Sequence, residues 1–183
     1  ELVLYLLSHV ARRGWVKIGC VRYPETGAYL EVVRGCGVEV ASSADLVQRF
    51  SAVWSEPAIA SHLAASAALY RVKDLAFQAI QQRVRYGVDT TEYDIQQMMV
   101  GWFKEQGLVS DSPPMVSAME NAGNPHYLPT AERSRTIGRD ELVLLDLWGK
   151  LDTPGAVYAD ITWVGFTGSK VPRRMAAAFS VAA

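Results

Sequence analysis

The sequence predicts a chain of two parts, α/β at its beginning and α+β afterwards, with a seam near residue 52. Three observations lead there. Short helical and strand-like patterns alternate over the first fifty residues, two long helical stretches follow, and residues 142–164 then carry two strand-like runs around the turn sequence Asp152-Thr153-Pro154-Gly155. Alternation within a short span is the mark of an α/β layer, whereas helices followed by strands belong to α+β architectures. With 50% hydrophobic and 20% charged residues among 183, the composition is that of a globular chain able to bury a core. A formal net charge of -1 gives no electrostatic reason to expect nucleic acid or an anionic membrane as partner.

Residues 2–10 read as the end of a helix stopped by Gly14, and residues 15–21 as a strand. Residues 26–33 are helical in pattern and ended by Gly35 and Gly37. Residues 38–40 form a short strand, and Ser42 or Ser43 caps a short helix through Phe50. Residues 1–51 are few for a domain and begin within an element, so they read as the carboxy-terminal part of a larger domain that continues upstream. The first residue is Glu1 rather than Met, which leaves open a removed leader or a boundary before it. The opening apolar run, residues 2–7, is far short of the roughly 20 residues of a membrane span, and Ser8, His9, Arg12 and Arg13 follow it. Cys20 and Cys36 form no Cys-x-x-Cys pair and have no histidine at ligand spacing. Two free thiols in a cytoplasmic protein are the expectation.

Beyond the seam, Ser55 as N-cap with Glu56 and Pro57 in the first turn opens a helix of about 30 residues, long for a globular protein. It carries Ile59, Leu63, Ala67, Val72, Ala76, Ala79 and Ile80 toward the core and ends at Gly87. Asp89, Thr90 or Thr91 caps a second helix. There Ile95, Met98, Met99, Trp102 and Phe103 recur at i, i+3, i+4, i+7 and i+8, with Gly107 closing it. That Met and aromatic stripe is read as core packing against a sheet, with no cofactor role.

Residues 142–148 and 157–164 read as the two strands of a hairpin. With a five-residue loop over 151–155, Lys150 faces Ala156, Trp148 faces Tyr158 and Asp146 faces Asp160. Like charges directly opposite one another are unfavourable, and the flanking Leu144, Leu145 and Leu147 predict burial, which costs several kcal/mol for an ionised carboxylate. A cation between the acids offsets both costs. So does an arginine or lysine from elsewhere, with Arg133, Arg135, Arg139, Arg173 and Arg174 in supply, or protonation of one acid. An all-oxygen site suits Mn, Mg or Ca, and added histidine widens the choice to Zn, Co or Fe. Upstream, Asn124-Pro125-His126-Tyr127-Leu128-Pro129 sets a histidine between two prolines in a stiffened loop. A loop histidine alone is ordinarily a surface residue, but beside two paired acids His126 becomes a candidate for catalysis.

The succession of a long helix pair, Gly87-Val-Asp-Thr-Thr-Glu92, Asn124-Pro-His-Tyr-Leu-Pro129, Leu142-Val-Leu-Leu-Asp-Leu-Trp-Gly149 and Tyr158-Ala-Asp-Ile-Thr162 resembles the first half of the pita-bread metallopeptidases. That family includes Xaa-Pro aminopeptidases, prolidases, methionine aminopeptidases and creatinases. The resemblance covers most of residues 52–183, and residues 1–51 resemble the end of the amino-terminal domain that precedes the catalytic domain in prolidase-type members. It implies that Asp146 and Asp160 are metal ligands completed by a later His and two Glu. It also implies that His126 binds substrate and steadies the charged intermediate. The implied cofactors are two divalent metal ions, Mn first, with Co, Zn or Fe as alternatives. The implied reaction is hydrolysis of an amino-terminal peptide bond, often one before proline, by metal-activated water.

Three departures qualify the transfer. After Asp160 the sequence has no His and no Glu, so residues 1–183 hold part of the ligand set. Residues 150–157 look like an insertion at the hairpin tip, tolerable because long loops cost little extra. The family's Asp-Ile-Thr-Arg reads Asp160-Ile161-Thr162-Trp163. Gly165-Phe-Thr-Gly168-Ser-Lys170 lacks the four-residue spacer and the Gly-Lys-Ser/Thr order of a phosphate loop, Asp152 is read as a solvated turn residue, and His9 and His62 have no partner at ligand spacing in the sequence. The expected partner is a peptide substrate, with a homodimer as an option and neither nucleic acid nor membrane. A non-catalytic peptide- or protein-binding relative, or a creatinase-like hydrolase of a small molecule, is the alternative.

Overall fold

The computed structural model describes residues 52–182 continuously and, upstream, residues 17–20, 31, 34–37, 39–42, 48 and 49. The chain divides into two compact units, Glu1–Trp54 and Ser55–Ala183. In the first unit, strand β1 (Lys17–Cys20) pairs in parallel with β2 (Glu39–Ser42), Lys17 opposite Glu39 and Cys20 opposite Ser42. A parallel pair needs a crossover between its strands, the pattern expected of an α/β layer. The helix expected over residues 2–10, and most of those expected over 26–33 and before Phe50, lie outside the described residues.

The second unit opens with helix α1 (Glu56–Tyr86). Ser55 is its N-cap, with Oγ accepting from the Ala58 amide at 3.4 Å, and Gly87 ends it at φ 69°, a left-handed conformation that favours glycine. The face buried by α1 is Ala65, Ala68, Leu69, Val72, Ala76 and Ile80, whereas Ile59 and Leu63 are exposed. The apolar pattern thus runs one and a half turns further toward the amino terminus than the packing does. Helix α2 (Glu92–Glu105) starts in a capping box of Thr91 and Asp94, so of the three cap candidates Thr91 holds the position. Ile95, Met99 and Phe103 are buried, and Met98 and Trp102 pack against the same core, as the stripe predicts.

Strand β5 (Leu142–Leu151) is the common partner of β3 (Leu108–Val109), β4 (Met115–Ala118) and β6 (Ala159–Phe166), all antiparallel. Along β5, Val143, Leu145, Leu147 and Gly149 are buried beneath the helices, and Leu142, Leu144, Asp146, Trp148 and Lys150 lie between them on the other face, half-buried. Gly149 lets α2 approach: a Cβ there would stand 3.3 Å from the Phe103 ring and 3.7 Å from Leu69. The short strands β3 and β4 have no counterpart in the sequence reading, because Pro113-Pro114 and the brevity of each run read as loop. Helix α3 (Arg173–Ala182) closes the described chain.

The hairpin differs from its expected register. Asp146 pairs with Thr162 and Asp160 with Trp148, a shift of two residues that lengthens the loop to 152–158. The cause is α1. Ser61 Oγ accepts from the Val157 amide at 3.1 Å, and His62 Nδ1 donates to the Tyr158 carbonyl at 2.8 Å. These bonds draw residues 157 and 158 to the helix and out of the ladder, and β6 begins at Ala159.

Candidate metal and substrate site

Strand alternation places Asp146, Thr162 and Asp160 on the sheet face opposite the helices. Asp146 and Asp160 are therefore diagonal neighbours on one face, not direct opposites. Diagonal positions stand about 7–8 Å apart at the backbone, close enough for two carboxylates to feel one another. The expected burial is also corrected: Leu145 and Leu147 point to the core and Asp146 to the other face, half-buried, while Asp160 is exposed. The electrostatic tension is nevertheless present. Partial loss of water, and then the charge of Asp146, push the Asp160 carboxyl above its ordinary range.

Thr162 Oγ1 donates to Asp146 Oδ1 at 2.6 Å and fixes that carboxylate, leaving Oδ2 without a hydrogen bond among the described residues. Among the described residues no lysine or arginine forms an ion pair with either acid. Arg135, one of the arginines considered as a bridge, is committed elsewhere, to Glu120 at 2.8 Å and to Glu141. Nor do the described residues contain a cluster of three or more His, Cys, Asp or Glu suited to a metal. Two carboxylates on one face, one oriented by a threonine, fit a hard divalent cation as donors, and they are fewer than a closed site needs.

His126 is in the loop after the 3₁₀ turn Met119–Gly123 that follows β4. It is exposed, its amide donates to Asn124 Oδ1 at 3.0 Å, and its ring has no hydrogen bond among the described residues. An open, polar cavity of about 660 Å³ surrounds it, lined among others by Asn121, Asn124, Tyr127, Arg133 and Arg135. Neighbouring Tyr127 is buried, and its hydroxyl donates to Glu92 Oε2 at 2.5 Å. Burial first and that hydrogen bond second push the Tyr127 pKa up to about 12.

Sequence reasoning singled out the two acids and His126 as candidates and gave Glu92 no role. The residue entered only as part of a turn motif, although a glutamate just inside a capped helix with an aromatic at its side was visible. Cys36 is an exposed free thiol, and no described helix is long and apolar enough to cross a membrane.

The fold of this chain is that of several solved peptidases. Dipeptidase PepE from Mycobacterium ulcerans superposes with a TM-score of 0.65 at 18% identity, over 90% of this chain and 41% of the other. A prolidase from Thermococcus sibiricus gives 0.65 at 14% identity, over 99% and 47%. The X-prolyl aminopeptidase from Caenorhabditis elegans, described as a cytosolic enzyme with a di-nuclear active site, gives 0.65 at 21% identity, over 93% and 27%. The chain thus spans less than half the length of each. None of the curated proteins matches it in sequence. The sequence pattern of metallopeptidase family M24 matches residues 65–183, the stretch that holds most of α1, all of α2 and the hairpin with both acids, and the chain belongs to that family.

Proposed function

We propose that this chain is the part of a metal-dependent peptidase that supplies Asp146 and Asp160 as metal ligands and His126 as the group that meets the substrate. The observation that carries the reading is the hairpin itself. Two carboxylates share one open face without a described cation beside them, in a chain of a metallopeptidase family. The substrate is the amino-terminal end of a peptide, of Xaa-Pro aminopeptidase or dipeptidase type, in line with the names of its structural neighbours. Two divalent ions, with Mn foremost and Co, Zn or Fe as alternatives, would supply activation of water and polarisation of the carbonyl. The chain's own residues do the rest. Thr162 orients the Asp146 carboxylate, Asp160 is its diagonal neighbour on the same face, and His126 offers an imidazole with no hydrogen bond among the described residues to the oxygen on which charge develops. A cytoplasmic location accords with the free Cys36.

Residues 1–183 contain no His or Glu after Asp160, so we expect no hydrolysis by this chain alone. The test is an assay of Xaa-Pro dipeptides and longer peptides with Mn(II), comparing this chain with the product of the complete reading frame. Turnover by the complete product, abolished by Asp146→Asn or Asp160→Asn, supports the reading. A complete product that binds peptide without cleaving it, with both acids intact, favours a non-catalytic binding module, and cleavage of small amides but not peptides favours the creatinase-like alternative.

A further inference from the structure

We infer that Glu92 is a positioning residue for His126, holding by its buried carboxylate the loop from which the imidazole projects. Glu92 is fully buried. Its two oxygens accept from the Ala118 amide at 2.6 Å, from Asn121 Nδ2 at 3.1 Å each, from the Tyr127 hydroxyl at 2.5 Å and from the Arg135 amide at 2.9 Å. An ionised carboxylate away from water is tolerated only when such donors replace its hydration. The donors come from four places: the end of β4, the 3₁₀ turn, the residue next to His126, and the return segment. The segment 118–135, which contains His126, is thereby anchored at four residues to one side chain.

Helix capping does not account for this arrangement. The amino terminus of α2 is already satisfied by Thr91 and Asp94, which exchange bonds at 3.1 and 2.8 Å. The helix dipole favours an acid in the first turn without requiring burial or four loop donors. Three of the residues bonded by Glu92, namely Asn121, Tyr127 and Arg135, also line the cavity that holds His126. The carboxylate therefore fixes the walls of that cavity while the imidazole has no hydrogen bond among the described residues, the division of labour a substrate-binding histidine requires. Only the kinetic consequence rests on the peptidase reading; the geometric claim stands on the loop.

The test uses nuclear magnetic resonance of the 183-residue chain, with the His126 ring signal assigned through His126→Ala. Glu92→Gln keeps the size of the side chain but offers the two backbone amides and the tyrosine hydroxyl one accepting oxygen in place of two. The expected result is a displaced His126 ring signal and a loss of exchange protection at the Ala118 and Arg135 amides of about tenfold or more, the scale of a lost charged hydrogen bond. The His62 signal, held by the Tyr158 carbonyl, should stay in place. A lowered melting temperature with the His126 signal unmoved would overturn the inference. Should Glu92→Gln not fold, Tyr127→Phe cuts the link nearest His126 alone, and an unmoved His126 signal there overturns it equally. In the complete protein Glu92→Gln should lower kcat more than it raises KM. Absence of turnover by the unaltered protein would remove the peptidase reading and leave the His126 displacement as evidence for positioning.

Discussion

At the scale of single residues, the paired acids are the feature whose energetics can be measured apart from any activity. The Asp160 carboxyl titrates above its ordinary range in the fold, so its ionisation opposes folding. The stability associated with its neutral form is complete below the unfolded pKa and is lost as pH rises through the folded one. Removing both charges with Asp146→Asn plus Asp160→Asn should therefore raise the melting temperature in chelator at neutral pH, with the gain shrinking toward acid. Calorimetric melts across pH measure it, and clear destabilisation of the double variant would point to a cation from the chain bridging the acids instead. Tyr127 gives a second prediction with the same sign and another window. Its pKa is pushed up to about 12 from 10.0, so stability should fall as pH rises from 10 toward 12, and Tyr127→Phe should flatten that slope. At neutral pH the same variant should cost about 1.5–3 kcal/mol for a hydrogen bond lost to a charged partner, read by urea melts.

At the scale of elements, close approach between α1 and β6 sets a strict limit. A Cβ at Gly165 would stand 2.5 Å from the Phe77 ring, so Gly165→Ala must displace the ring or the strand. We expect a loss of about 1–3 kcal/mol in denaturant unfolding, the usual cost of overpacking, and no loss if the ring has room to turn. Elements also show where the sequence was legible. Ser55, Thr91 and Gly87 mark the ends of α1 and α2 because a cap acts through a local hydrogen bond or a local backbone angle. The stripe through Ile95, Met99 and Phe103 is legible because helical periodicity is local as well. The register of the hairpin is not local. It depends on Ser61 and His62, almost a hundred residues away, taking hold of Val157 and Tyr158, and turn chemistry alone put Asp146 two positions away from its partner. Strands β3 and β4 were missed for a related reason. Runs of two and four residues carry too little pattern, and they are strands because β5 offers them an edge.

At the scale of the whole molecule, the fold is an instrument for setting charged groups on surfaces the core does not use. The helices cover one face of the sheet with Val143, Leu145 and Leu147, and the alternation of β5 then delivers Asp146 to the other face. Both acids and His126 were legible as chemistry, since carboxylates in an apolar hairpin and a histidine between prolines stand out against their surroundings. Glu92 was not, because its importance comes from four donors spread over residues 118–135 that only the fold assembles. The central claim, that Asp146 and Asp160 are donors to a divalent metal, is tested most directly by titrating Mn(II) into the 183-residue chain and following its electron paramagnetic resonance signal. The account predicts weak binding that is lost in Asp146→Asn plus Asp160→Asn and kept in His126→Ala. Undiminished binding by the double variant, or none by the unaltered chain, would contradict it.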